Sequence, residues 1–322
     1  MQHLAAFLSS LSLGAPQSVA GLIVFPLLRQ PAPEPWYDTL TDAIAARTAL
    51  VTEVSDAGTV PELKVVNDSP RHVLIIDGEE LVGAKQNRIV NLTILVPPKT
   101  SLTIPVSCVE AGRWREVSRE FTPASHAYHS SGRRAKVEQV SMSLRSDGAR
   151  SSDQGAIWSE IELKSARMGS DSRTRAASAM YEKERHNLDG FVEGLRPQEG
   201  QVGAVFAIRG QIAGLDVFDS PRTWTSLMPK LVRSYGLDAL DLGIGGDGFA
   251  EPSPRRFLDA VSAARCTFYP AVGAGRDLRV EGSGILGAAL TTEQGVVHAV
   301  AFPAADVARP RSWRGIFDRL RQ

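Results

Sequence analysis

Between Gly21 and Glu110 the chain is cut into short apolar runs, none longer than a strand needs, and proline, glycine or aspartate closes nearly all of them. Gly21–Leu28 ends at the proline-rich loop from Pro31 to Pro35. Leu50–Val54, Leu63–Asn67 and His72–Ile76 follow, separated by Gly58, Pro61, Asp68 and Pro70. Ile89–Val96 alternates and stops at Pro97-Pro98, and Ser101–Glu110 alternates again. Such punctuation at such intervals predicts many short antiparallel strands, as in a sandwich or barrel, and argues against a parallel sheet with crossover helices. One helix is expected within this region, Tyr37–Thr48, with Leu40, Ile44 and Ala45 inward and Asp38 or Thr39 near its cap.

The second half changes period. Residues 122–154 are polar and small around a strand-like Lys136–Leu144, and the flanks read as exposed, mobile loops. A helix is predicted from Asp153 or Gln154, with Ile157, Trp158, Ile161, Ser165 and Met168 at helical spacing; a second spans Ser172–Leu195, and a third Thr223–Tyr235. Val202–Phe218 and Ile285–Phe302 each read as apolar strand, glycine turn, apolar strand, and are expected as hairpins in one sheet. Leu4, Phe7, Leu8 and Leu11 place an amphipathic helix at the start. The fold class is therefore α+β: an N-terminal antiparallel β-sandwich-like part, then helices packed on further antiparallel hairpins. A single compact unit over 1–322 is expected, β-rich over 14–150 and mixed over 151–322.

Charge narrows the function classes. Lys plus Arg (36) equal Asp plus Glu (36), so no whole-molecule basic field exists to grip nucleic acid. Two cysteines, Cys108 and Cys266, are too few for a disulfide framework or a four-cysteine zinc site. No apolar run reaches about 18 residues, so no membrane span is expected. The apolar opening has no Lys or Arg before Arg29 and is interrupted by serines, unlike a secretory signal. The expected compartment is the cytoplasm. The oligomeric state is not legible.

Three places carry candidate chemistry. Asp77–Arg88 holds an acidic pair, Glu79 and Glu80, then Lys85, Gln86 and Arg88 around a glycine. Cations and amides hold oxyanions, and a carboxylate positions a water or accepts a proton. The plainer reading is a solvated hairpin tip. Cys108–Trp114 places Glu110 beside a cysteine and follows it with Arg113 and Trp114, a clamp and a stacking surface. Cys108 itself reads as a small core residue. Asp216 lies inside an apolar strand, where a carboxylate must be paired or must act; Ser220 before Pro221 reads as a helix cap. Glu79, Glu80, Glu110 and Asp216 are thus the catalytic candidates, and Lys85, Gln86, Arg88, Arg113 and Trp114 the ligand-binding ones.

Other motifs fail in context. Gly243–Gly248 matches a dinucleotide glycine pattern, but Pro252 and Pro254 interrupt the helix that the motif needs. His126 and His129 lie three apart with no third ligand in view, so no metal is expected, and no cofactor either. His298 reads as a hydrogen-bonded sheet histidine.

Gly78-Glu79-Glu80 through Gly83–Arg88, then Cys108–Trp114, Gln154-Gly155-Ala156-Ile157-Trp158 and Gly214–Asp219 occur in an order that resembles one bacterial family. It is the ADP-ribosylglycohydrolase and rhodanese-phosphatase-superfamily-associated protein domain. The resemblance runs from about Gly14 to Phe302. It implies binding or processing of an ADP-ribose, NAD-derived or related nucleotide metabolite, with hydrolysis as one form of processing. The alternative is a non-catalytic ligand-sensing or protein-interaction module. The resemblance carries no catalytic residue over, so the candidates stand on their own chemistry.

Overall fold

A computed structural model describes residues 2–55, 58, 60–115, 117–243 and 253–304. Helix α1 (Gln2–Ser9) precedes strands β1 (Ser12–Leu13), β2 (Gln17–Val19) and β3 (Leu22–Leu28). Strand β4 (Tyr37–Thr39) leads into α2 (Leu40–Ala45). Then come β5 (Ala49–Glu53), β6 (Glu62–Asn67), β7 (His72–Ile75), β8 (Glu79–Gly83), β9 (Arg88–Val90), β10 (Ile94–Val96), β11 (Thr100–Cys108) and β12 (Phe121–Ala127). Four helices follow: α3 (Ser130–Ser146), α4 (Gln154–Arg167), α5 (Ser178–Lys183) and α6 (Arg185–Gly194). The hairpin of β13 (Gln201–Ile208) and β14 (Gln211–Phe218) precedes α7 (Pro221–Leu242) and α8 (Pro254–Ala263). The strands β15 (Arg265–Pro270), β16 (Arg276–Gly282), β17 (Ile285–Thr292) and β18 (Gly295–Pro303) complete the series.

Among the described residues these strands form three sheets. Nine of them make the order β1-β3-β13-β14-β18-β17-β16-β15, with β2 also on β3. Six make β12-β8-β9-β11-β6-β5, and three make β10-β7-β4. Named pairs are antiparallel except β4 against β7, so the fold is α+β as expected. The two predicted hairpins are present and adjacent, Asp216 lying opposite Val300 across β14 and β18.

Three apolar clusters hold the sheets and helices together. The α1 stripe of Leu4, Phe7, Leu8 and Leu11 packs with Phe257 and Val261 of α8 on one face of the large sheet. Phe206, Phe218, Trp224, Leu231 and Tyr235 fill the other face beneath α7. Strand β13 is therefore buried at every position, which explains its unbroken apolar sequence. A third cluster, including Val51, Val65, Ile75, Leu81, Val90 and Val106, fills the space between the two smaller sheets. Each fully buried Leu or Phe contributes about 1.5–3 kcal/mol.

Several expectations are corrected. The helix expected at Tyr37–Thr48 is only Leu40–Ala45. Thr39 caps it, Ala43 faces inward and Ala45 is exposed. The strand expected at Ile89–Val96 is two strands in different sheets, β9 and β10, with Asn91-Leu92-Thr93 turning the chain between them. Ser172–Leu195 yields two shorter helices, α5 and α6. Strand β3 leaves the N-terminal sheets and pairs with β13. The glycine pattern at 243–248 falls, beyond Gly243, outside the described residues.

The exposed flank expected after the strand is present over 147–153; the largest correction concerns 122–146, expected as an exposed loop and a strand. It forms β12 and then α3, a helix of 17 residues. The His129 ring caps α3, its Nδ1 accepting from the Gly132 N–H at 3.1 Å. The buried stripe is Ser130, Arg133, Val137, Val140, Ser141 and Leu144, at helical spacing, with Lys136 buried beside it. Two cations on a buried face disguised that stripe. They are tolerated because Arg133 meets Asp216 at 2.6 Å and Lys136 pairs with Asp77.

Candidate functional site

The sheet order β8-β9-β11 makes neighbours of segments that the sequence separates. Leu81 lies opposite Arg88, and Arg88 opposite Cys108. The β8–β9 turn and the segment after β11 therefore meet at one end of the sheet. Gly83 starts that turn at a φ of 137°, and a side chain there would strike the Glu120 carbonyl. Far from a solvated tip, Glu79, Glu80, Gln86, Asn87 and Arg88 are all buried, which corrects the plainer reading of this segment.

Gln86 is the hub. Its Oε1 accepts from Arg88 Nη1 at 2.9 Å and from the Cys108 thiol at 3.2 Å, while its Nε2 donates to the Glu110 carbonyl at 2.9 Å. Gln154 holds Cys108 as a strand would. It accepts from the Cys108 N–H at 2.8 Å and donates to the Cys108 carbonyl at 2.7 Å.

Arg113 is spent on the protein. It pairs with Glu110 Oε2 at 2.6 Å and donates to the Ala84 carbonyl at 2.7 Å and Asn87 Oδ1 at 3.0 Å. Glu110 also accepts from the Asn87 N–H at 3.1 Å. Burial pushes the Glu110 carboxyl up, but the Arg113, Thr174 and Asn87 donors outweigh it and hold it below its ordinary value. Burial pushes the Cys108 thiol up, away from a nucleophilic thiolate.

Arg88 is different. Its side chain is sealed from solvent, yet Nε and Nη2 have no hydrogen-bond partner among the described residues. Burial lowers its pKa, partly offset by the nearby Cys108 and Glu53. Both Glu53 carboxylate oxygens are likewise buried without a partner. The Trp114 ring, 51% exposed, lies over the Arg88 guanidinium at 5.8 Å and near the Lys85 ammonium at 5.7 Å. A guanidinium with an unused donor edge beneath a half-exposed indole can accept an oxyanion and a flat ring.

The structure thus brings Lys85, Gln86, Arg88, Glu110, Arg113 and Trp114 together. Glu80 sits behind them, touching Asn87 at 3.5 Å and His126 at 2.9 Å. Glu79 points elsewhere, paired with Lys230, whose ammonium also reaches Thr41 at 2.8 Å. Asp216 belongs to another sheet, where Arg133, Tyr235 and His298 satisfy it. His298 is the hydrogen-bonded sheet histidine expected, also bonded to Thr93 at 2.7 Å. Ser220 caps α7, as expected.

Glu53, His126 and Gln154 were not singled out as site residues. No spacing signal marks them, since His126 and its partner Glu80 are 46 positions apart. Among the described residues, no group of three His, Cys, Asp or Glu is arranged to hold a metal ion, and no helix is long and apolar enough to cross a membrane. No curated protein and no solved structure matches the chain. Residues 10–302 match the model of the ARG and Rhodanese-Phosphatase-superfamily-associated Protein domain, and the chain belongs to that family.

Proposed function

We propose that this protein binds an ADP-ribose-like, NAD-derived nucleotide metabolite in the cytoplasm, at the end of the β8-β9-β11 sheet. The observation that carries this reading is the buried Arg88 guanidinium with two donors left over, beneath the half-exposed Trp114. Leaving such a group unpaired in the interior costs on the order of 1–3 kcal/mol or more, a cost that a ligand phosphate would relieve. Trp114 supplies the face on which an adenine stacks, and Lys85 adds charge at the rim. Gln86 holds Arg88 in place. Arg113 acts through Glu110, fixing the turn, and meets no ligand. The family's name, which records association with ARG and rhodanese-phosphatase superfamily proteins, fits a nucleotide-like ligand.

Recognition is favoured over chemistry at this end, because Arg113 and the Asn87 N–H engage Glu110 Oε2 and burial pushes the Cys108 thiol up. Calorimetric titration with ADP-ribose, NAD and ribose 5-phosphate tests the reading. Binding of at least one is expected. Arg88→Met should lose about 1.5–3 kcal/mol of affinity, the worth of a hydrogen bond to a charged group. Absence of binding, or wild-type affinity in R88M, refutes it.

A further inference from the structure

On the opposite side of β8 from Leu81, Glu80 reaches His126. The His126 Nε2–H donates to Glu80 Oε2 at 2.9 Å, and Glu80 is sealed from solvent. The imidazole is stacked on Tyr181, with ring centroids 3.5 Å apart and planes 10° from parallel. Tyr181 is locked in turn by its hydroxyl, which donates to the Ala127 carbonyl at 2.9 Å. The ring is therefore fixed in plane and in tautomer: a carboxylate on Nε2 keeps the proton there and leaves a lone pair on Nδ1. Among the described residues no hydrogen bond occupies Nδ1. The β12–β8 register shifts between Pro123 and Ala127, the kind of irregularity that re-aims a side chain next to a site.

His126 lines a cavity of about 290 Å³ together with Tyr181, Arg185, Leu188, Asp189 and Arg233. Its charges come from three elements. Arg233 of α7 pairs with Asp189 of α6 at 2.8 Å and lies one-fifth exposed. Among the described residues Arg185 pairs only with Glu182, and both are about two-thirds exposed, so exchanging Glu182 for another anion costs little. An oriented base, a locked ring and two guanidiniums thus share one small hollow with two carboxylates, Glu182 and Asp189; Arg233 also donates to the Ser125 and Pro229 carbonyls at 3.3 and 3.4 Å, so a phosphate must compete with Asp189 for it.

We propose that His126, positioned by Glu80, is a general base serving this cavity, and that the cavity hydrolyses a small phosphate ester. Arg233 and Arg185 hold the phosphate oxygens. A water bonded to Nδ1 gives its proton to that nitrogen as its oxygen bonds to phosphorus. The bond between phosphorus and the alcohol oxygen, in line with the attacking water, breaks on the far side; the departing oxygen takes its proton from solvent water, and the imidazolium, balanced by Glu80, releases the proton it took back to solvent. Water supplies both the new phosphate hydroxyl and the alcohol proton. Glu80 touches no substrate; it sets the tautomer.

The probe is p-nitrophenyl phosphate, with ribose 5-phosphate as a second ester. Wild-type protein should release p-nitrophenol and phosphate. His126→Ala should lower kcat by about 100-fold or more, the usual worth of a positioned base, and added imidazole should restore part of it. Glu80→Gln should lower kcat with KM nearly unchanged, because an amide permits the other tautomer, and Glu80→Asp should recover part of the loss. If H126A melts, H126Q and protection of wild-type His126 from diethyl pyrocarbonate by inorganic phosphate replace it. No turnover of either ester by the wild type, or turnover that survives loss of His126, overturns the proposal.

Discussion

Arg133 and Arg88 are both sealed from solvent, yet the protein treats them oppositely. Arg133 makes a two-pronged bond to Asp216, at 2.6 and 3.0 Å, and lies 3.4 Å from Asp77. Burial alone would lower its pKa; Asp216 and Asp77 outweigh burial and raise it. Arg88 has Gln86, with Cys108 and Glu53 nearby, and burial prevails. Removing one partner of a buried pair strands the other at a cost of several kcal/mol, whereas a buried group left with spare donors already carries a desolvation penalty that a partner would relieve. The contrast marks Arg133 as architecture, and it is the ground on which a ligand-binding role is proposed for Arg88.

The strongest way to break this comparison is Arg133→Met. It strands Asp216 without its main partner, and chemical denaturation should show a loss of about 3–5 kcal/mol. Adding Asp216→Leu should return much of that loss, since removing both charges is cheaper than removing one. Arg88→Met should behave otherwise: stability of the free protein should fall by no more than about 1 kcal/mol, because the lost contact with Gln86 is offset by relieved desolvation. A collapse in R88M as deep as that in R133M would erase the distinction.

The pH dependence sharpens it further. Burial lowers Lys136 to about 8, with Asp77 resisting, against about 10.4 in an unfolded chain. Between those values the unfolded state holds the proton that the folded state has released. Stability contributed at this site should therefore rise with pH from about 8 to 10.5, by an amount on the order of 1–3 kcal/mol. Denaturation of the wild type and Lys136→Met at pH 7 and pH 10 isolates the effect; a constant difference between the two proteins would contradict it. The smallest expected effect is at the surface. Arg222 and Glu34 are 3.9 Å apart and 76% and 85% exposed, so Glu34→Gln should leave stability within about 0.5 kcal/mol.

Much of the fold is legible because apolar period reports burial directly. Leu4, Phe7, Leu8 and Leu11 announce α1, and the runs of β13, β14, β17 and β18 announce two hairpins. Helix α3 is not legible, because Arg133 and Lys136 occupy its buried side and their neutralising carboxylates lie 83 and 59 positions away. The candidate site divides in the same way. Gln86, Arg88 and Glu110 are visible as a polar cluster between apolar strands, yet the spent state of Arg113 and the spare donors of Arg88 are invisible until the partners are placed.

By itself the residue order determined the α+β class and the punctuated strands, since local propensity and hydrophobic period are properties of neighbours along the chain. Only the tertiary structure decided which buried charges are satisfied. Asp216 closes on Arg133, Glu79 on Lys230 and Glu80 on His126, while two Arg88 nitrogens find no partner among the described residues. The physical reason is range: pairing depends on a few ångströms in space, and those partners stand 83, 151 and 46 residues apart in sequence.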